Sequence, residues 1–145
     1  MTTGHPTFDH TVHDANRWLK AIAQELHIEE RNHAYSALRA TLHALRDRLP
    51  AEAAVHFSAQ LPMVIRGLFF EGWRISGKPT SEHTIDAFCG HIAKELPASF
   101  PMDAATAARG VFKVIFNEID PGEVAKVIDQ VPVSLRSLWP AMARR

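Results

Sequence analysis

A chain of 145 residues is long enough to form one domain with a sizeable hydrophobic core. Sixteen basic residues balance sixteen acidic ones, so no net charge is available to attract nucleic acid. Cys89 is the only cysteine, so no internal disulfide can form. The N-terminus lacks the pattern of a secretory signal, and no apolar run approaches the ~20 residues of a membrane span. We therefore predict a cytoplasmic protein with no membrane or nucleic-acid partner.

Apolar residues recur along the chain at three- and four-residue steps, which is the spacing of one face of an amphipathic helix. In chain order, the clearest series are Trp18, Ile22 and Leu26; then Leu38, Leu42, Leu45 and Leu49; then Ala54, Phe57 and Leu61. Prolines at positions 50, 62, 121 and 132 fall where one series stops and the next begins, as expected for the first turn of a helix. No stretch alternates apolar and polar residues for long enough to predict a strand, so the fold class is all-α.

Two short segments mark boundaries between the predicted helices. Residues 74–80 contain Gly, Pro and Ser and no apolar stripe, which is typical of a linker. Asp120 precedes Pro121 and is predicted to cap a helix that begins there. Glu123 is in the position from which a carboxylate can bond back to the residue that caps the helix.

The chain aligns with itself without a gap when it is shifted by seventy residues. His13, Gln60, Pro62, Arg66 and Leu68 then match His83, Gln130, Pro132, Arg136 and Leu138. The apolar character of Leu42 and Leu45 is kept in Phe112 and Ile115, so all four are predicted to lie in the core. We predict one domain over residues 1–145, with about eight short helices in two related four-helix repeats at about 11–70 and 81–140, packed against each other.

Two runs in the first half and one in the second resemble a known family. These are AYSALRATLHALRDRLP, AQLPMVIRGLFFEGW and FKVIFNEIDPGEVAKVIDQVPVSLRSLWP. Together they resemble the bacterial domain of unknown function 2267 family, over nearly the whole chain from about Phe8 to Pro140. The resemblance implies an all-helical fold and implies no activity, cofactor or catalytic residue.

The polar residues that the repeat retains beside its second proline are Gln60 with Arg66, and Gln130 with Arg136. The structural interpretation is that each Gln satisfies free carbonyls at a helix end, while each Arg pairs with a carboxylate of a neighbouring helix. The functional interpretation is a pseudo-symmetric anion site with one Arg from each copy.

The segment GLFFEGW is the part of the first repeat that the second lacks. On a helix that begins at Pro62, Phe70 and Trp73 lie off the stripe made by Ile65, Leu68 and Phe69. This second apolar face is predicted to pack between the two repeats. The alternative is an exposed aromatic surface for a partner protein or a second subunit.

The nine histidines and the cysteine are candidate catalytic or metal-binding groups. His10 and His13 lie three residues apart on one side of a helix, yet a metal site needs three or four ligands and no further ligand has a matching position. Cys89 and His91 are two residues apart, so on a helix they point to nearly opposite sides. We predict no catalytic residue, metal or cofactor, and interpret Cys89 as a small core residue.

The sequence therefore favours a non-enzymatic helical module that binds an unknown protein partner or a second copy of itself. The alternative is a protein, possibly an enzyme, that binds a small molecule or anion between the two repeats. Gln60, Arg66, Gln130 and Arg136 are the candidate ligand-binding residues of this alternative, and Phe70 and Trp73 are the candidate interaction surface.

Overall fold

Every regular element in the described part of the chain is helical. The structure is a computed structural model and describes residues 4–144. Seven α-helices span Pro6–Leu26 (α1), Arg31–Arg48 (α2), Ala51–Ser58 (α3), Met63–Phe70 (α4), Ile85–Glu95 (α5), Ala104–Glu118 (α6) and Pro121–Asp129 (α7). Two 3₁₀ helices, Val133–Leu138 and Ala141–Arg144, follow. The prediction of a single all-α domain with about eight helices is confirmed, and no strand occurs within residues 4–144. None of the described helices is long and apolar enough to cross a bilayer.

Polar residues and prolines define where several helices begin. The Asp120 side chain accepts from the backbone N–H groups of Gly122 and Glu123, and Pro121 is the first residue of α7, as predicted. Glu123 does not bond back to Asp120, because its two carboxylate oxygens bond to His56 and Lys126 instead. Pro50, Pro62 and Pro132 stand immediately before their helices.

The fourth element of the second half is a helix, as predicted, but it is shorter than its counterpart in the first half. The first half has the α-helix α4, whereas the matching residues of the second half form the 3₁₀ helix Val133–Leu138. Pro140 provides the physical reason, because proline forces the preceding residue out of the helical region. Trp139 is extended, with φ −86° and ψ 154°, and the helix ends before it.

The core surrounds α2, the most buried helix of the molecule. Its residues 41–47 are all buried, and it packs against α1, α4, α5 and α6. Leu42, Leu45, Phe112 and Ile115 are each at most 1% exposed, so the predicted core positions are confirmed.

Two helix pairs join the first half of the chain to the second half. Helix α1 packs against α6, and α5 packs against α2, so each pair joins the first half to the second. The contact between α1 and α6 is close at the buried Gly110, where an added Cβ would lie 2.4 Å from Cδ2 of Leu26. Crossed packing of this kind makes the core a property of both halves together.

Leu45→Ala is expected to lower the free energy of unfolding by about 2–5 kcal/mol, because the side chain is fully buried and a cavity would remain. Urea unfolding measures the loss. The exposed Val55 provides a control, since Val55→Ala should change stability by less than about 0.5 kcal/mol. Equal losses in the two variants would contradict the described core.

Candidate functional site: a buried ionic network and a basic groove

Four charged or titratable residues of α2 lie along one side of the helix. Arg39, His43, Arg46 and Asp47 are spaced so that their side chains form a stripe facing α5 and the end of α4. His43, Arg46 and Asp47 are buried. Buried charges are tolerated only when they are paired and hydrogen-bonded, so their partners define the site. We call these four residues, with Glu71, Glu82, His91 and Glu95, the ionic network.

One end of the ionic network joins α2 to α5 and to the segment between α4 and α5. The Arg46 Nε–H donates to Asp47 at 2.8 Å, and Nε2 of His91 lies 3.4 Å from the second oxygen of Asp47. Nδ1 of His91 lies 3.1 Å from Glu82, whose carboxylate also accepts from the Thr80 hydroxyl. The backbone N–H of Thr80 donates to the carbonyl of Asp47 at 2.8 Å. These bonds tie the connecting segment to the core helix.

The charges at this end stabilise one another. Burial alone would raise the pKa of Asp47, but hydrogen bonds to His91 and Arg46 outweigh it and lower that pKa to about 2. The pKa of His91 is raised, chiefly by its hydrogen bond to Asp47 against the opposing effect of burial, with a further contribution from Glu82. Burial likewise opposes ionisation of Glu82, yet the bond to His91 lowers its pKa. The site therefore favours a protonated imidazole between two carboxylates.

The other end of the ionic network closes the C-terminus of α4. His43 places Nδ1 2.9 Å from Glu95 and Nε2 2.8 Å from the carbonyl of Leu68. Arg46 donates to the carbonyls of Phe69 and Glu71 at 3.0 and 2.7 Å. The last carbonyls of a helix have no partner within it, so these side chains of α2 supply the missing donors.

Arg39 completes the ionic network at its outer edge. It donates to Glu95 at 2.7 Å through Nη1 and to Glu71 at 3.1 Å through Nε. One guanidinium thus holds two carboxylates, one from α5 and one from the residue after α4. Both carboxylates come from outside α2, so Arg39 fixes the position of two other elements.

The chemistry of the ionic network is that of a structural joint. Its charged groups are engaged with each other or with backbone carbonyls. Burial raises the pKa of the Cys89 thiol on α5, which disfavours the reactive thiolate. No group of three or more His, Cys, Asp or Glu side chains within residues 4–144 is placed to hold a metal ion.

The predicted ligand-binding arginines both donate to backbone carbonyls upstream in their own half. Arg66 and Arg136 each donate from Nε and Nη2 to two backbone carbonyls just upstream. The acceptors are Ser58 and Leu61 for the first, and Val131 and Asp129 for the second, at 3.0–3.3 Å. The expected carboxylate partners of the structural interpretation are therefore replaced by carbonyls, because the arginine itself satisfies the helix end. Gln60 is half-buried and Gln130 is exposed. An anion site at these four residues stays a prediction.

The predicted aromatic surface lies against the core rather than apart from it. Phe70 and Trp73 are half-buried, with ring centroids 5.2 Å apart, and Phe70 also contacts the buried Phe69 at 5.2 Å. The indole N–H of Trp73 is buried and has no hydrogen-bond partner among the described residues. The use of this pair as an interaction surface stays a prediction.

A basic groove lies between the end of α1, α6 and the two 3₁₀ helices. Its volume is about 600 Å³. The charged residues that line it are Glu25, Arg109, Lys113 and Arg144. Lys113 pairs with Glu25 at 3.3 Å, whereas Arg109 and Arg144 donate to the carbonyls of Ser137 and Trp139. Three cations and one carboxylate give the groove an excess of positive charge.

Residues 15–138 match the family model described as an uncharacterized conserved protein, DUF2267. The chain belongs to the DUF2267 family. The resemblance found in the sequence is thereby confirmed, although the family description names no activity. No curated protein matches the chain.

Neither the ionic network nor the basic groove of this DUF2267 protein was predicted from the sequence. No partner was predicted for His43 or His91, although each bonds to a carboxylate. The available signal was the stripe of four polar residues on α2, a helix whose neighbouring positions are apolar. The partners on other elements could be found only from the tertiary structure.

The stability of the protein is expected to fall as the pH rises through the folded pKa of His91. That pKa is raised above the ordinary value of 6.5, so the folded state holds the proton more tightly than the unfolded state. The stabilisation is fully present below about pH 6.5 and is lost at higher pH. Urea unfolding at several pH values should show a weaker decline in His91→Gln. The exposed His13, changed to Gln, is the control. An identical decline in wild type and His91→Gln would contradict the assignment.

Trp73→Ala is expected to lower the free energy of unfolding by about 2–3 kcal/mol, below the value for a fully buried ring, because the side chain is half-buried. Trp73→Phe should keep most of the stability, since the indole N–H has no partner to lose among residues 4–144. Urea unfolding measures both changes, and the solution mass of each variant tests association. An unaltered unfolding midpoint together with a lost dimer would make this pair an interaction surface.

Proposed function

We propose that this DUF2267 protein is a non-enzymatic helical module of the cytoplasm that associates with a second copy of itself. The observation that carries the proposal is an exposed apolar surface where α1 meets α4.

We further infer that the domain is a duplicated four-helix unit. Pro62 and Pro132 have nearly the same backbone conformation in front of their helices, which supports the duplication. Arg66 and Arg136 share one carbonyl acceptor at a matching position, Leu61 in the first half and Val131 in the second.

The apolar surface consists of Phe8, Val12, Met63 and Val64. These side chains are 62%, 51%, 49% and 45% exposed. The backbone N–H of Val64 donates to the Thr11 hydroxyl, which places the start of α4 beside the first turns of α1. Phe8 lies one turn before Thr11, and Val12 follows it directly. Four large apolar side chains grouped around one contact exceed the scattered exposure that is usual on a monomer.

A second copy of the chain fits this surface better than an unrelated partner. The surface has two parts, one on α1 and one on α4, so a two-fold axis can place each part against the other part of the partner. Charges beside the two parts are complementary. Asp9 on α1 and Arg66 on α4 pair with no opposite charge among the described residues. A two-fold dimer therefore offers two apolar contacts and two ion pairs.

Removal of the apolar surface should abolish self-association and leave the fold intact. We expect the wild-type protein to reach the mass of a dimer as its concentration rises. Phe8→Ser combined with Val64→Ser should stay monomeric and lose less than about 1 kcal/mol of stability, because both side chains are exposed. Sedimentation equilibrium measures mass, and urea unfolding measures stability. Val133→Ser, at a 76% exposed apolar site outside the surface, is the matched control. A wild-type monomer at all concentrations would refute self-association.

Binding of a small anionic molecule between the two repeats is the second candidate function. The basic groove favours it, because the groove is formed by α1 of the first half and by α6 and the C-terminal segment of the second. Its volume of about 600 Å³ falls within the range of small-molecule sites. The cations involved are Arg109, Lys113 and Arg144 rather than the predicted Arg66 and Arg136.

A further inference from the structure

We propose that the basic groove binds a small molecule with one carboxylate and an apolar body. The inference deepens the second candidate function and rests on the proposed duplication with its seventy-residue offset. It does not depend on self-association, because no residue of the apolar surface lines the groove.

The first half of the protein provides an internal example of the proposed complex. Arg39 holds the carboxylates of Glu71 and Glu95 there. With the seventy-residue offset, the residues that match Arg39, Glu95 and Glu71 are Arg109, Glu25 and Ala141. All three of these line the basic groove. The cation and one carboxylate are retained, whereas the second carboxylate is replaced by a methyl group.

The carboxylate that remains in the groove is engaged elsewhere. Glu25 pairs with Lys113 at 3.3 Å and makes no described bond to Arg109. The neighbouring Asp103 caps α6 by accepting from the backbone N–H of Thr106 at 2.7 Å. Within residues 4–144, Arg109 therefore has no bonded carboxylate, and its only described hydrogen bond runs from Nη1 to the carbonyl of Ser137 at 2.8 Å.

The free donors of Arg109 match the geometry that a carboxylate requires. Its Nε and Nη2 groups have no acceptor among the described residues. In Arg39, Nε is the atom that holds Glu71. A guanidinium binds a carboxylate through two parallel N–H groups, so Nε and Nη2 form a complete site for one ligand carboxylate. The Ser137 contact holds the guanidinium in place from its other side.

The other residues that line the groove indicate the chemistry of the rest of the ligand. Arg144 donates Nε–H to the carbonyl of Trp139 at 3.1 Å, which leaves its outer N–H groups without a described acceptor. Leu26, Leu138 and Pro140 line the groove beside these cations. Trp139 is fixed beneath by stacking on Phe112, with ring centroids 4.1 Å apart and nearly parallel planes. Apolar walls with a few fixed polar groups are typical of small-molecule sites.

The first test is an NMR titration of the protein with hexanoate, with hexanamide as the uncharged control. We expect saturable shifts at Gly110, Trp139 and the side-chain N–H of Arg109, with a dissociation constant of about 1–10 mM for so small a ligand. Hexanamide should bind about tenfold more weakly or not at all, because it lacks the charge that Arg109 recognises. Inorganic phosphate is titrated as a third probe, to separate a carboxylate site from a general anion site.

Two variants test the assigned atoms. Arg109→Gln should weaken hexanoate binding about tenfold or more, as expected for loss of a charge-assisted pair. Ala141→Glu restores the carboxylate that Glu71 supplies in the first half, so it should occupy Arg109 and abolish hexanoate binding. Because Ala141 is exposed, this variant tests the proposal even if Arg109→Gln fails to fold. Lys20→Gln, an exposed position outside the groove, is the control.

The outcomes separate this inference from the others. Hexanoate binding that is lost in Ala141→Glu and kept in Lys20→Gln supports the proposal. Absence of shifts with hexanoate at about 50 mM, equal binding of hexanamide, or unchanged binding in Ala141→Glu overturns it. Phosphate binding stronger than that of hexanoate also overturns the carboxylate assignment. The mass of the protein is measured in the same samples, so failed ligand binding is distinguished from failed self-association.

Discussion

Because α1 packs against α6 and α5 packs against α2, each half of the chain covers the apolar face of the other half. The remaining features follow from this crossed packing. It places α2 at the centre, with neighbours from both halves, and it brings the end of α1 beside α6, where the basic groove forms. The buried Gly110 permits the close approach of α1 and α6, since a Cβ there would meet the side chain of Leu26.

The ionic network accounts for how polar groups are tolerated at the centre of such a core. Burial of a charge costs free energy unless a hydrogen-bonded partner compensates for the lost hydration. Removal of one partner therefore destabilises the fold, because the other charge stays buried without compensation. Asp47 has Arg46 and His91, and Glu95 has Arg39 and His43. The network also supplies donors to the end of α4, so one set of side chains fixes α2, α4, α5 and the segment between the last two.

Much of the fold could be predicted from the sequence, because helical periodicity and proline positions are local signals. The buried positions of Leu45 and Phe112, the Asp120 cap and the segment 74–80 between helices follow from such signals. A helix after Pro132 was predicted, but its 3₁₀ form was not, because this form depends on the effect of Pro140 on Trp139.

The candidate sites were less predictable, because their parts come together only in three dimensions. A polar stripe on α2 indicates that partners exist, but not that Glu95 of α5 is one of them. The proposed carboxylate site rests on the difference between Glu71 and Ala141 at matching positions, and only the bond between Glu71 and Arg39 in the structure gives that difference a meaning. The exposure of Phe8 and Val64 likewise depends on which faces the other helices cover.

The crossed packing has a consequence for how the chain can be divided. The surface that holds the two halves together is the hydrophobic core itself, whereas the covalent connection is the exposed, irregular segment 74–80. A cut in that segment would leave two fragments with complementary apolar faces, and these fragments would stay associated through the core. The same complementarity allows the first half of one molecule to pair with the second half of another, with the native contacts of the core preserved. An exchanged dimer and a nicked monomer would thus share one core.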